Sequence, residues 1–213
     1  YFFTIIMKLW LFDILACPID KYYPLKLYIF KYLEDQTQFE MILKKFKSRN
    51  IAEILDEDLI SIYDEAGRKF IKDQITIKRF SLKHYLKKIL QSIEELENII
   101  DKSQNETSNE ILKLLKLEVK SKIIEFWKND VKLDLELILP ELYLLNKIKV
   151  DVEIESGILF CNKCKRWFPI IESIPRMLPD KYRDVNQEKE FLKNHKNLLN
   201  EKFLQQNLKP FNI

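Results

Sequence analysis

The stretch FCNKCKRWFPI, Phe160–Ile170, decides how this chain is read. Cys161 and Cys164 form a C-x-x-C pair, the spacing of one half of a tetrahedral metal site. It is followed at once by an apolar, β-prone run. The pair therefore reads as a knuckle between "ILF", a short strand, and "RWFPII", another. A structural zinc wants four ligands, so the other half of the site has to come from elsewhere. Cys17 is the only other cysteine of the 213 residues, and it lies near the opposite end in "ACPIDK". Three residues on, where a second knuckle would have its second cysteine, stands Asp20. The site would then be Cys17, Cys161 and Cys164 with Asp20, another group or water as the fourth ligand. A Cys3Asp set suits zinc chemically, although a carboxylate is the harder donor. Buried thiols, or a Cys161–Cys164 disulfide, are the alternatives to a metal.

Such a site requires the two ends of the chain to meet, and the pattern between them supports this. Lys8–Leu15 reads as a short helix and Leu25–Leu33 as a strand. Thr37–Phe46 is amphipathic, and Ser81–Ile100 carries apolar residues at helical spacing. Asn109–Trp127 continues that texture with Ser108 or Asn109 as its cap, and Leu133–Leu145 makes a further helix around Pro140. The segment between Glu57 and Phe80 is ambiguous and is broken at Gly67. Strand texture returns at Ile148–Ile154, with Ser156-Gly157 as a turn. Asp184–Leu208 reads as one charged helix. The fold class expected is α+β: a small zinc-ribbon-like β-domain built from both ends (7–33 and 148–184), an inserted helical domain (34–147) and a C-terminal helical extension (185–213).

Composition excludes several functions. Thirty-six basic and 33 acidic residues leave a net charge of +3, which argues against a concentrated phosphate-binding surface. Two glycines are too few for a dinucleotide fingerprint, and Gly67 and Gly157 stand too far apart for a P-loop. His84 and His195 sit in charged, amphipathic contexts and are expected at the surface. The opening YFFTIIMKLWLF is too short to span a bilayer, so no membrane is expected. Met7 is read as the natural start, with Tyr1–Ile6 upstream of it, and the chain as cytoplasmic.

Two blocks resemble the small activator subunit shared by several S-adenosylmethionine-dependent methyltransferases. The first is MKLWLFDILACPIDKYYPLKL, Met7–Leu27, and the second SGILFCNKCKRWFPIIESIPRMLPDKYRD, Ser156–Asp184. Their order and their position at the two ends match that family, as does the helical insertion. Asp20 near the usual fourth cysteine and Ser173 in place of glycine depart from it. The resemblance implies no catalysis by this chain. It implies a zinc-binding adaptor that forms a heterodimer with methyltransferases by extending their β-sheet, and so serves enzymes acting on tRNA, rRNA and a translation termination factor. RNA contact would then be indirect, through the partner. For partner contact, Phe168, Ile170, Ile174, Pro175, Met177 and Leu178 are the candidates, because an apolar sheet edge needs cover. Phe168 and Ile170 have the domain's own core as their competing role.

The runner-up is an RNA-binding zinc-ribbon module. Lys163, Lys165, Arg166, Trp167, Arg176, Lys181 and Arg183 would supply its cations and a stacking ring. A metalloenzyme with an open zinc position is disfavoured, because no general base stands near the cysteines.

Overall fold

The structure is a computed structural model that describes residues 6–65, 68–128 and 134–211. In chain order it begins with α1 (Leu9–Phe12), β1 (Lys26–Tyr32), α2 (Gln36–Ser48) and α3 (Ile51–Leu55). Next come β2 (Ile60–Glu65), β3 (Arg68–Asp73), β4 (Phe80–Ser81), α4 (Leu82–Glu95) and β5 (Ile99–Asp101). Then follow α5 (Glu106–Leu114), α6 (Lys120–Lys128) and α7 (Leu139–Asn146). The chain closes with β6 (Ile154–Phe160), β7 (Trp167–Ile171), β8 (Ile174–Pro175), α8 (Val185–Asn194) and α9 (Glu201–Leu204). The class is mixed α+β.

These elements divide into two units. One takes in residues 6–33, 98–104 and 153–211, and the other Glu34–Glu97 with Asn105–Val152. The first is built on a five-stranded sheet of order β5-β1-β6-β7-β8. β1 pairs antiparallel with β6 and parallel with β5, with Leu27 opposite Ile99. A parallel pair needs a long crossover, and the chain between β1 and β5 supplies it. Both faces of the sheet are buried. Tyr28, Phe30, Ile158, Phe160 and Trp167 form one face, covered by Phe191, Leu192, Leu199, Phe203 and Leu208. Leu27, Ile29, Leu159, Phe168 and Ile170 on the other face are wholly inaccessible to solvent.

Several sequence expectations change here. Asp184–Leu208 is not one helix: α8 ends at Asn194, a 3-10 turn follows at Lys196–Leu198, and α9 is separate. The segment's apolar residues roof the sheet. Ser156-Gly157 is not a turn but lies inside β6. The β1–β6 register shifts after the Ile29–Gly157 pair. A Cβ on Gly157 would meet the Tyr28 carbonyl oxygen at 2.5 Å, so glycine is there for close backbone approach. The true turn is Glu172-Ser173 between β7 and β8, with φ of 51° and 61°. Two left-handed residues in a two-residue loop are the hairpin geometry that normally favours Asn-Gly.

The second unit holds α2–α7 and a three-stranded antiparallel sheet, β2-β3-β4. The ambiguous segment is thus a meander; its expected break at Gly67 lies outside the described residues. The expected helix Ser81–Ile100 stops at Glu95, and Ile99–Asp101 is strand. The helix expected at Asn109 starts at Glu106, because Asn105 is the cap: its side chain accepts from the Ser108 amide at 2.9 Å. It runs through a π-helical turn, Leu115–Val119, into α6. Of the helix expected from Leu133, that residue lies outside the described ones. A 3-10 turn spans Leu135–Ile138, and Pro140 sits in the first turn of α7, where its missing N–H costs nothing. The strand expected over Ile148–Ile154 is mostly helical. Lys147–Asp151 prolongs α7 as a π-turn, and strand begins at Ile154. Alternation over so short a run does not exclude the end of a buried helix.

Candidate metal centre and docking edge

Two loops of the first unit have the same backbone. In one, the Cys17 amide donates to the Tyr22 carbonyl at 3.0 Å, and the Lys21 amide to the Cys17 carbonyl at 2.9 Å. In the other, the Cys161 amide donates to the Arg166 carbonyl at 2.8 Å, and the Lys165 amide to the Cys161 carbonyl at 2.9 Å. Lys21 and Lys165, at matching positions, are both left-handed, with φ of 58° and 61°. Asp20 therefore occupies in the first knuckle the place Cys164 occupies in the second. The Tyr22 amide donates to its Oδ1 at 3.1 Å, and the Cys164 amide points at the Cys161 sulfur at 3.5 Å.

The two knuckles bring four donors together. One ligand atom from each of Cys17, Asp20, Cys161 and Cys164 lies within 4.8 Å of all the others. All three cysteines are free thiols, so no Cys161–Cys164 disulfide is present. The Cys17 and Cys164 sulfurs are 3.6 Å apart, and Cys161 Sγ is 3.6 Å from both Asp20 oxygens. Tetrahedral zinc with bonds of about 2.3 Å to sulfur and about 2.0 Å to oxygen would put sulfurs about 3.8 Å apart and sulfur and oxygen about 3.5 Å apart. The donor set fits such an ion in chemistry and in spacing. Cys17 and Cys161 are buried, while Asp20 and Cys164 are half-buried.

The protonation states divide the donors into thiols and an ionised carboxylate. Burial pushes the Cys17 thiol up to about 12 and also raises that of Cys161. At Asp20, desolvation is outweighed by hydrogen bonds from Cys17, the Tyr22 amide and Cys161, which hold the carboxyl below its ordinary range. A cation would meet a carboxylate already ionised and thiols whose protons it must displace, so acid weakens its hold.

The docking candidates separate by burial. Phe168 and Ile170 are wholly inaccessible, in line with the core role weighed against docking for both. Ile174 and Leu178 are exposed, at 37% and 43%, and Pro175 and Met177 are half-buried. They follow β7 at the outer end of the sheet, where the Arg176 amide donates to the Pro169 carbonyl at 2.9 Å.

Three of the seven residues read as an RNA site in this unit, Arg166, Trp167 and Arg183, are engaged within the unit. Arg166 Nη2 reaches Asp180 at 2.9 Å, which holds the Asp180 carboxyl below its ordinary range. Arg183 is buried against Glu188, and Trp167 has no exposed surface. His84 is exposed, as expected. His195 is half-buried, its ring stacked on Phe30 at 4.9 Å.

A family model described as Trm112p-like protein matches residues 8–173. That span contains both knuckles, the whole of the second unit and the first unit as far as Ser173, and it covers well over half of the chain. The chain belongs to the Trm112p-like family. No curated protein and no solved structure matches it. Membership supports a non-catalytic role as an activator or adaptor of methyltransferases. The match ends at Ser173, so α8 and α9, which roof the sheet in this Trm112p-like chain, lie beyond it. Among the described residues, no helix is long and apolar enough to cross a membrane.

Proposed function

We propose that the chain is the non-catalytic activating subunit of S-adenosylmethionine-dependent methyltransferases that modify tRNA, rRNA and a translation termination factor. The unit formed by the two ends is its zinc-binding, enzyme-docking part. Glu34–Glu97 and Asn105–Val152 are an insertion within it. Cys17, Asp20, Cys161 and Cys164 hold zinc, which ties the knuckles together and so sets the strands that follow them. Docking runs along β8 and the residues after it, by addition of a strand from the enzyme to the sheet. Main-chain hydrogen bonds would supply affinity, and Ile174, Met177 and Leu178 the apolar contact.

The observation that carries this reading is the contrast along one short run. In a sheet buried on both faces, Ile174 and Leu178 alone among the six docking candidates remain exposed. Apolar side chains at an outer strand are a liability unless something covers them. The test is capture of partners from native extract by tagged full-length chain, compared with an Ile174→Asp, Leu178→Asp double variant. The wild type should retain methyltransferases at near-equal amounts. The variant should retain about tenfold less while keeping its metal content and circular dichroism. A wild-type chain that retains no methyltransferase would overturn the proposal.

A further inference from the structure

Strand addition needs free main-chain N–H and C=O groups along the outer strand. As it stands, β8 has too few. Ile174 pairs with Ile171 and Pro175 with Ile170, and the Arg176 amide donates to the Pro169 carbonyl at 2.9 Å. In an antiparallel ladder alternate residues turn their main-chain groups to the same neighbour. Ile174 and Arg176 therefore face β7, while Pro175 and Met177 face outward. Pro175 has no N–H to give, and the Met177 amide turns back onto the Pro175 carbonyl at 3.0 Å. The outward side thus carries no free N–H at either position, and the chain leaves β7 at this bend.

The register shows what stops the strand. Continued by two residues, it would set Leu178 opposite Trp167 as the next hydrogen-bonded pair. That place is taken. The Trp167 amide donates to the Lys209 carbonyl at 3.3 Å, and the Lys209 amide to the Lys165 carbonyl at 2.9 Å. Lys209 is bridged parallel to Arg166, in the row beside β7 that β8 also occupies. Trp167 Nε1 donates to the Phe211 carbonyl at 3.3 Å, and the two rings meet edge-on with their centres 5.5 Å apart. Leu178, in the continued register, would lie on this same face of Trp167. Lys209–Phe211 and Met177–Leu178 therefore compete for one stretch of β7.

The hold of Lys209–Phe211 is light beside that of the roof. Phe191, Leu192 and Phe203 are buried against the sheet, whereas Lys209 is exposed and Pro210 and Phe211 are half-buried. Release would cost the Trp167 amide its partner, and the Leu178 carbonyl would replace it. The Leu178 amide would donate to the Trp167 carbonyl in turn. Such an exchange keeps the number of main-chain hydrogen bonds nearly constant, which makes the segment a two-state element that a ligand can bias.

We infer that Lys209–Phe211 is an autoinhibitory plug on the docking edge. Seated, it holds β8 to two residues and keeps the Met177 amide turned inward. Displaced, it lets residues 176–178 zip along β7, so that the Pro175 C=O and the Met177 N–H and C=O face an incoming strand. That strand is an extended segment of the methyltransferase, so the inference rests on the docking reading above and adds its regulation.

The test uses full-length chain carrying Lys209→Pro and Phe211→Asp. These remove the Lys209 N–H and the Phe211 ring and leave the residues of α8 and α9 unaltered. Amide hydrogen exchange followed by NMR should slow about tenfold at Leu178 and quicken at Met177, the one gaining a partner and the other losing it. Simple loosening would quicken both. Affinity for a methyltransferase captured by the wild-type chain should rise about tenfold, because the competent edge no longer has to be uncovered. Lys202→Ala, at an exposed position of α9, should change neither quantity. Circular dichroism confirms the fold of each variant. Unchanged or faster exchange at Leu178 in the double variant, or unchanged affinity for the enzyme, would overturn the inference. The exchange measurement needs no partner, so its failure is distinct from that of the docking reading, which falls when the wild-type chain retains no methyltransferase.

Discussion

At the residue scale, the candidate metal centre was legible in its members but not in its symmetry. The C-x-x-C pair, Cys17 and the carboxylate three residues after it could all be read from spacing. What spacing could not reveal is that Lys21 and Lys165 share a left-handed backbone and that the two loops make the same hydrogen bonds. That equivalence makes Asp20 the counterpart of Cys164. It carries a prediction. Asp20→Cys would complete a four-thiolate set of softer donors, and competition against a chromogenic chelator should show zinc held about tenfold more tightly at neutral pH. An unchanged affinity would mean that Asp20 is not a ligand. The docking residues were harder to read. Phe168 and Ile170 stand in an unbroken apolar run, Trp167–Ile171, which does not say whether a partner or the chain's own core covers it; here both faces of the sheet are covered.

At the element scale, long periodic segments were readable and their ends were not. β1, α2 and β7 fall close to where pattern puts them. The errors gather where one apolar run serves two elements. Ile99 continues the helical spacing of α4, yet the chain leaves the helix and pairs with Leu27. A strand partner 72 positions away in the sequence outweighs a local period. Gly157 shows the same limit. A Ser-Gly pair ordinarily marks a turn, and only the neighbouring strand reveals the close approach that needs it. Gly157→Ala should therefore lower unfolding free energy by about 3 kcal/mol, the upper part of the range for overpacking, because the obstacle is the Tyr28 carbonyl and not a movable side chain. Urea denaturation would measure it, and a loss under about 1 kcal/mol would show that β1 can move aside.

For the whole molecule, the chain divides into two units, and metal removal should distinguish them. Chelation should speed hydrogen exchange in residues 17–22 and 161–166 and in the strands beside them. The amides of α4, which has no ligand in or near it, should exchange as before. Equal acceleration throughout would mean that the insertion depends on the knuckles for its fold. The sequence by itself determined that the protein mixes helices and strands, that its two ends hold a split Cys/Asp set at metal-ligand spacing and that they resemble a methyltransferase activator. Those signals are local: a spacing, a period, a short block of residues. Only the tertiary structure decided that residues 98–104 rejoin the end-built unit and that α8 and α9 roof its sheet. Each of these depends on which distant segment covers a given face, and burial by a distant segment leaves no period in the covered one.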